Sequence, residues 1–206
     1  TITVEDKQMP KAVCKDITVD LSSAGAVTVT SAQINGGSSD NCGTVQLSPV
    51  SQTYSCAQVG DNNVSLTVTD GAGNTSVCVA TVTVRDVTAP VITVCPANMT
   101  LNDCYGTIPS LTGQLSASDA CGVAAVSQSP TAGTGYAPVS GTTVTVTYTA
   151  ADHGGNTSTC TSTVTLIDNK VPAVTCPASI TAGTDVDQCN ATVTYSIPTA
   201  TDDCNG

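Results

Sequence analysis

The chain has 206 residues, 40% of them hydrophobic, with no Phe, no Trp, five Tyr, one His and 11 Cys. Lys plus Arg number 5 against 16 Asp plus Glu, a net charge of -11 that disfavours nucleic acid as a partner, because phosphate binding needs a basic face. No apolar run reaches the roughly 18 to 20 residues of a membrane span, so no membrane insertion is expected of this segment.

Thr (36) and Val (27) dominate, residues that suit a pleated, half-buried surface. Period-2 alternation is plain at Val64, Leu66 and Val68 against Ser65, Thr67 and Thr69, and again at Val144, Val146 and Tyr148. Helical spacing is absent, so the chain is expected to be all-β.

An internal repeat organises it. Three blocks match: Thr1–Pro10, Thr81–Pro90 and Thr163–Pro172, each reading as a closing strand, an Asp and a short linker ended by Pro. Between them recur a Cys (Cys14, Cys95, Cys176), an acidic loop (Asp40-Asn41-Cys42, Asp119-Ala120-Cys121, Asp202-Asp203-Cys204) and a hairpin turn (Asp70–Asn74, Asp152–Asn156). The expected organisation is the last strand and linker of a preceding repeat at 1–10, full repeats at 11–90 and 91–172, and the first part of a third at 173–206. The segment thus reads as a window on a longer array. About seven short strands per repeat suggest tandem immunoglobulin-like β-sandwiches of about 80 residues. In the second repeat, strands are expected near 91–95, 98–102, 111–117, 123–128, 143–149 and 158–166.

The cysteines divide by repeat: Cys14, Cys42, Cys56 and Cys78; Cys95, Cys104, Cys121 and Cys160; then Cys176, Cys189 and Cys204. No Cys-x-x-Cys occurs, which points away from zinc and toward disulfides, hence toward an oxidising compartment and export. A repeat without Phe or Trp has a thin core, and a bridge closing about 30 residues contributes roughly 3–4 kcal/mol in the chain-entropy model. Four Cys allow three pairings. The preferred set is Cys14–Cys42, Cys56–Cys78, Cys95–Cys121 and Cys104–Cys160, with Cys14–Cys78 as the main rival.

The motifs Cys-Pro-Ala, Ala-Thr-Val-Thr-Tyr, Pro-Thr-Ala-Thr-Asp-Asp-Cys and Asp-x-x-Gly-Asn-Thr-Ser-x-Cys together resemble the hyalin repeat (HYR), an extracellular Ig-like module. Tandem Thr-rich copies resemble the giant surface proteins of Bacteroidota, including the flavobacterial gliding-motility adhesin. The resemblance implies the bacterial cell surface and export by the type IX system.

No catalytic constellation is visible. His153 lies in a Gly-rich turn without a nucleophile at triad spacing, Gly71–Asn74 lacks a phosphate-binding Lys, and the acidic residues recur once per repeat as turns do. Two readings of those acidic residues stay open. Asp6, Asp40, Asp70 and Asn74, then Asp86, Asp119, Asp152 and Asn156, would converge at successive junctions and offer oxygen ligands to Ca²⁺, although no cofactor is required. Alternatively they are turn formers that bond their own backbone. The expected function is a non-catalytic, stiff spacer in the stalk of a surface adhesin, whose partners are neighbouring repeats and an unknown surface ligand. The rivals are a polysaccharide-binding module, poorly served by five Tyr, and an accessory region of a secreted hydrolase.

Overall fold

A computed structural model describes residues 1–102, 106–136 and 141–202. The chain is all-β apart from single helical turns, as expected. It divides into two compact units: Thr1–Thr93 with Ser116–Val126 and Thr149–Thr159, and the described parts of Val94–Leu115, Ser127–Tyr148 and Cys160–Gly206. The limits of these units are not those of the sequence repeats.

In the first unit, β1 (Ile17–Asp20), β2 (Ala26–Thr30), a helical turn α1 (Ser31–Ile34), β3 (Gln46–Ser48), β4 (Ser51–Ser55), β5 (Gly60–Thr69) and β6 (Thr75–Arg85) follow one another. Four form a sheet in the order β1-β6-β5-β3, with β1 parallel to β6 and the other pairs antiparallel. β2 and β4 form a separate antiparallel ladder. The alternation predicted for β5 holds: Val64, Leu66 and Val68 are buried, as are Ala80, Val82 and Val84 of β6. All of these but Val68 pack with Leu21, with Val29 and Tyr54 of the β2–β4 ladder and with Ile34 of α1, which gives the first repeat the two layers of a sandwich. The Tyr54 hydroxyl is buried without a partner, and burial pushes its pKa up.

The next strands are β7 (Val91–Val94), β8 (Met99–Leu101), β9 (Gly106–Thr107), β10 (Ser116–Ser118), β11 (Val123–Ser129), β12 (Gly135–Tyr136), β13 (Thr143–Asp152) and β14 (Thr157–Leu166). Sheet order β11-β13-β14-β8 repeats the first sheet, with β8 parallel to β14. β7 pairs with β10 and β9 with β12. The strand expected over 111–117 is interrupted by a 3-10 turn at Thr112–Gln114 and begins only at Ser116, and β9 and β12 are too short to show in the sequence as alternation. The second core gathers Ile108, Leu111, Val146, Tyr148, Val164 and Leu166. Even the edge devices recur: Thr81 N–H donates to the Asp16 carboxylate at 2.7 Å, and Thr163 N–H to the Asn98 side chain at 2.9 Å.

Residues 1–9 are in no strand. A strand exists by pairing, and among the described residues none pairs with this segment, so Ile2 and Val4 lie exposed. Beyond β14, residues 173–202 form one short ladder, β15 (Ala173–Thr175) with β16 (Thr199–Thr201), and leave Val186, Tyr195 and Ile197 exposed.

The second core differs from the first by one polar pair. Tyr148 and Ser162 stand where the first repeat has Leu66 and Ala80, and their hydroxyls hydrogen-bond at 2.9 Å while fully buried. Ser162→Ala strands the phenol in the core and is expected to cost about 1–3 kcal/mol in chemical denaturation. The double change Ser162→Ala with Tyr148→Phe should recover part of that loss.

Candidate functional site

Two features recur beside the linkers, a locked hairpin turn and a sulfur-bearing acidic loop, and both instances of each fall within the first unit. The turn between β5 and β6 is closed by Asp70. Its Oδ1 accepts the N–H groups of Ala72 and Asn74 at 2.9 and 2.8 Å, and Oδ2 accepts the Asn74 amide at 2.8 Å. The same amide reaches the Asp6 carbonyl at 3.2 Å, so the turn grips the linker. Asp152 and Asn156 repeat this between β13 and β14, with bonds of 2.8 and 2.9 Å within the turn and 3.2 Å to the Asp86 carbonyl. Gly154 permits that approach, since a Cβ there would lie 2.9 Å from the Asp86 carbonyl oxygen.

These bonds hold both turn carboxyls below the ordinary aspartate value of 3.8. At Asp70 the Asn74 side chain is the largest cause, outweighing desolvation. At Asp152 burial pushes upward most, but the bonds from Asn156, Gly154 and Gly155 together prevail.

The remaining predicted residues form the acidic loop. Asp6, Asp40 and Cys42 place one ligand-type atom each within 4.8 Å of one another, and Asp86, Asp119 and Cys121 do the same. In each loop the Asp accepts its own cysteine's N–H, Asp40 from Cys42 at 2.8 Å and Asp119 from Cys121 at 2.7 Å. Of the eight predicted oxygen donors, Asp70, Asn74, Asp152 and Asn156 are thus occupied as turn locks. Asp6, Asp40, Asp86 and Asp119 face one another in pairs.

The sulfur chemistry corrects the preferred pairing. The bonds are Cys14–Cys78, Cys56–Cys121 and Cys95–Cys160, while Cys42, Cys176 and Cys189 are free. Cys14–Cys42, Cys56–Cys78 and Cys95–Cys121 do not form. Cys104, and with it the pair Cys104–Cys160 as proposed, falls outside the described residues on one side, but Cys160 is taken by Cys95. The reason is register. Lys11 bridges to Ser39 and Cys14 to Asn35, an antiparallel run that carries Cys42 some six strand residues, roughly 20 Å, from Cys14. Cys56 follows Ser55, which pairs with Ala26, whereas Cys78 pairs with Leu66 further along the other sheet.

Sequence reasoning also passed over Gly25. Its φ is +74°, and a Cβ there would meet Cys56 Sγ at 2.9 Å and the Ala120 Cβ at 3.1 Å. The turn before β2 therefore has to be glycine for the Cys56–Cys121 bond to lie against it. Cys42, the counterpart of Cys121, keeps its proton: desolvation first, then the charges of Asp6, Asp40 and Asp70, push its pKa up, which makes it a poor nucleophile.

No family model matches the chain, and no curated protein matches it. Among solved structures it is similar to fibronectin(III)-like modules of CbhA from Clostridium thermocellum, at 13% identity over 77% of this chain and 93% of that one, with a TM-score of 0.31. It is also similar to extracellular cadherin domains 1–4 of protocadherin gamma B7 (15% identity, 88% of this chain and 56% of that one, TM-score 0.34). A third is an I-band fragment of titin (10% identity, 79% and 68%, TM-score 0.32). The chain spans little more than half of the protocadherin fragment. At such low similarity, function has to be argued from the chain's own residues.

The turn locks carry a pH signature. A carboxyl whose folded pKa is lowered adds stability above its ordinary value and loses it as pH falls through the folded one. Asp70→Asn with Asp152→Asn should therefore melt lower than wild type at pH 7, and the gap should close on acidification below about pH 4. Melts followed by circular dichroism across pH 2 to 7 check this.

Proposed function

We propose that the chain is a segment of a tandem β-sandwich array that serves as an extension-limited, non-catalytic spacer in an exported cell-surface adhesin. One observation carries the reading. The three disulfides among the described residues overlap in series along the sequence: Cys14–Cys78 overlaps Cys56–Cys121, which overlaps Cys95–Cys160, with separations of 64, 65 and 65 residues. Cys56 belongs to the first sequence repeat and Cys121 to the second, so the bonds interlock across repeats.

Interlocking has a mechanical meaning. The shortest covalent route from Cys14 to Cys160 runs through Cys14–Cys78, the 17 residues from Cys78 to Cys95 and then Cys95–Cys160, against about 150 residues along the chain, and Cys56–Cys121 shortens the route only where one of the outer bonds is lost. If every strand were pulled apart, roughly 400 Å of contour would stay locked. A surface stalk gains from that limit; a protein that works at rest has no use for it. Bonds of this kind form and persist outside the reducing cytosol, which supports an extracellular place of work. Among the described residues no helix is long and apolar enough to cross a membrane.

The residue pattern resembling hyalin repeats supports the finer assignment, a bacterial surface adhesin of the attachment or gliding type with neighbouring repeats as partners. Carbohydrate stacking by this segment is poorly supported, since Tyr54 and Tyr148 are fully buried and, among the described residues, only Tyr195 is well exposed, at 72%. In a longer array the same series gives Cys42 a partner about 65 residues upstream, matching the spacing of Cys56 to Cys121.

Single-molecule stretching of the oxidised chain tests the spacer role. Wild type should release roughly 400 Å less contour on complete unfolding than the same protein in reductant. Cys14→Ser with Cys78→Ser should recover about two fifths of the difference, because the route then falls back on Cys56–Cys121, whereas Cys56→Ser with Cys121→Ser should recover none. Equal contour lengths in both conditions would overturn the reading.

A further inference from the structure

We propose that the facing carboxylates of Asp86 and Asp119 bind a hard divalent cation, Ca²⁺ by size and ligand type, and that Asp6 and Asp40 form a sister site. The proposal does not rest on the spacer reading. Asp86 is more than nine-tenths buried, at 8% exposure, and its Oδ2 has no hydrogen-bond partner. Its other oxygen accepts only the Thr88 N–H, at 3.1 Å. An Asp119 carboxylate oxygen lies within 4.8 Å of the Asp86 carboxylate. Two carboxylates at that range repel, and a buried oxygen without a donor is rare in native proteins.

Among the described residues no side-chain donor answers this demand. The neighbouring Arg85 is turned to Asp20, with Nη2 and Nε each 2.9 Å from the same Asp20 oxygen. The Asn156 amide is spent on Asp152 and on the Asp86 and Thr88 carbonyls. The sulfur of the cluster cannot serve either: Cys121 is bonded to Cys56 and has no thiolate to offer. What is left is oxygen only, the donor set of Ca²⁺ rather than of zinc. The sister pair shows the same defect, because Asp40 Oδ1 is also buried and unpartnered while Asp6 and Cys42 face it. A shallow cleft bordered by Val59, Gly60, Val87 and Gly154 opens onto Asp86 and gives a hydrated ion its way in. Two carboxylates with water completing the shell correspond to a weak site, with Kd of order 10⁻⁴–10⁻³ M, as in extracellular modules.

The oxidised 206-residue chain, stripped with EDTA, would be titrated with CaCl₂ by calorimetry and melted with and without about 10 mM Ca²⁺ at constant ionic strength. Wild type should bind Ca²⁺ and gain a few °C in Tm. Asp119→Asn and Asp86→Asn, which preserve the acceptor for Cys121 or Thr88 N–H, should each weaken one binding event at least about tenfold. Asp119→Asn should also raise Tm in metal-free buffer, because the repulsion is gone. The proposal fails if wild type shows neither heat nor shift. It fails equally if the shift survives with all four Asp changed to Asn, if NaCl reproduces it, or if titration shows the pair sharing a proton at pH 7.

Discussion

The Cys56–Cys121 bond is the constraint around which the acidic loops, the glycine turn and the linker are arranged. Cys121 gives its N–H to Asp119, so a fixed sulfur means a fixed loop, and a fixed loop holds the Asp119 carboxylate beside Asp86. Gly25 yields the space in which the bond lies, and the Asp152–Asn156 turn holds the backbone of the linker that carries Asp86. Three local devices therefore converge on one segment. Each alone is a minor turn or crosslink; together they leave the linker little freedom.

This reliance on crosslinks and turns follows from composition. Without Phe or Trp, the two cores rest on Val, Leu, Ile and Ala with one fully buried Tyr apiece. Closing a loop of 65 residues removes unfolded-state entropy equivalent to about 4 kcal/mol in the chain-entropy model. That is comparable to the whole net stability of many domains, about 5–15 kcal/mol. The polar pair Tyr148–Ser162 shows the other side of a thin core: the second repeat fills the Leu66 site with a larger ring only by giving its hydroxyl a partner.

Much of the fold was legible because its signals are local. Alternation at Val64–Thr69 and Val144–Tyr148 reports one buried face, and the Asp-x-x-Gly-Asn turns close as their chemistry requires. The repeat was visible because Asp, Cys and Pro recur in order. What escaped was long-range. Counting four cysteines per repeat suggested closure within each repeat, yet the strand register at Cys14 and Cys56 sends one bond of the set into the next repeat. The one hint was the moving fourth position, Cys56 late in the first repeat but Cys104 early in the second. The eight acidic and amide residues were legible as a group, but not their division into turn locks and facing pairs, since that depends on which oxygen each amide reaches. Ile2 and Val4 looked like strand residues because alternation cannot say whether a neighbouring strand exists.

The central claim is the interlocked order of the bonds, and peptide mapping of the oxidised, alkylated chain without reduction tests it most directly. Linked peptides carrying Cys14 with Cys78, Cys56 with Cys121 and Cys95 with Cys160, and alkylated Cys42, are the predicted result. Recovery of Cys56 linked to Cys78, or of Cys121 linked to Cys95, would confine the bonds within repeats and contradict the account.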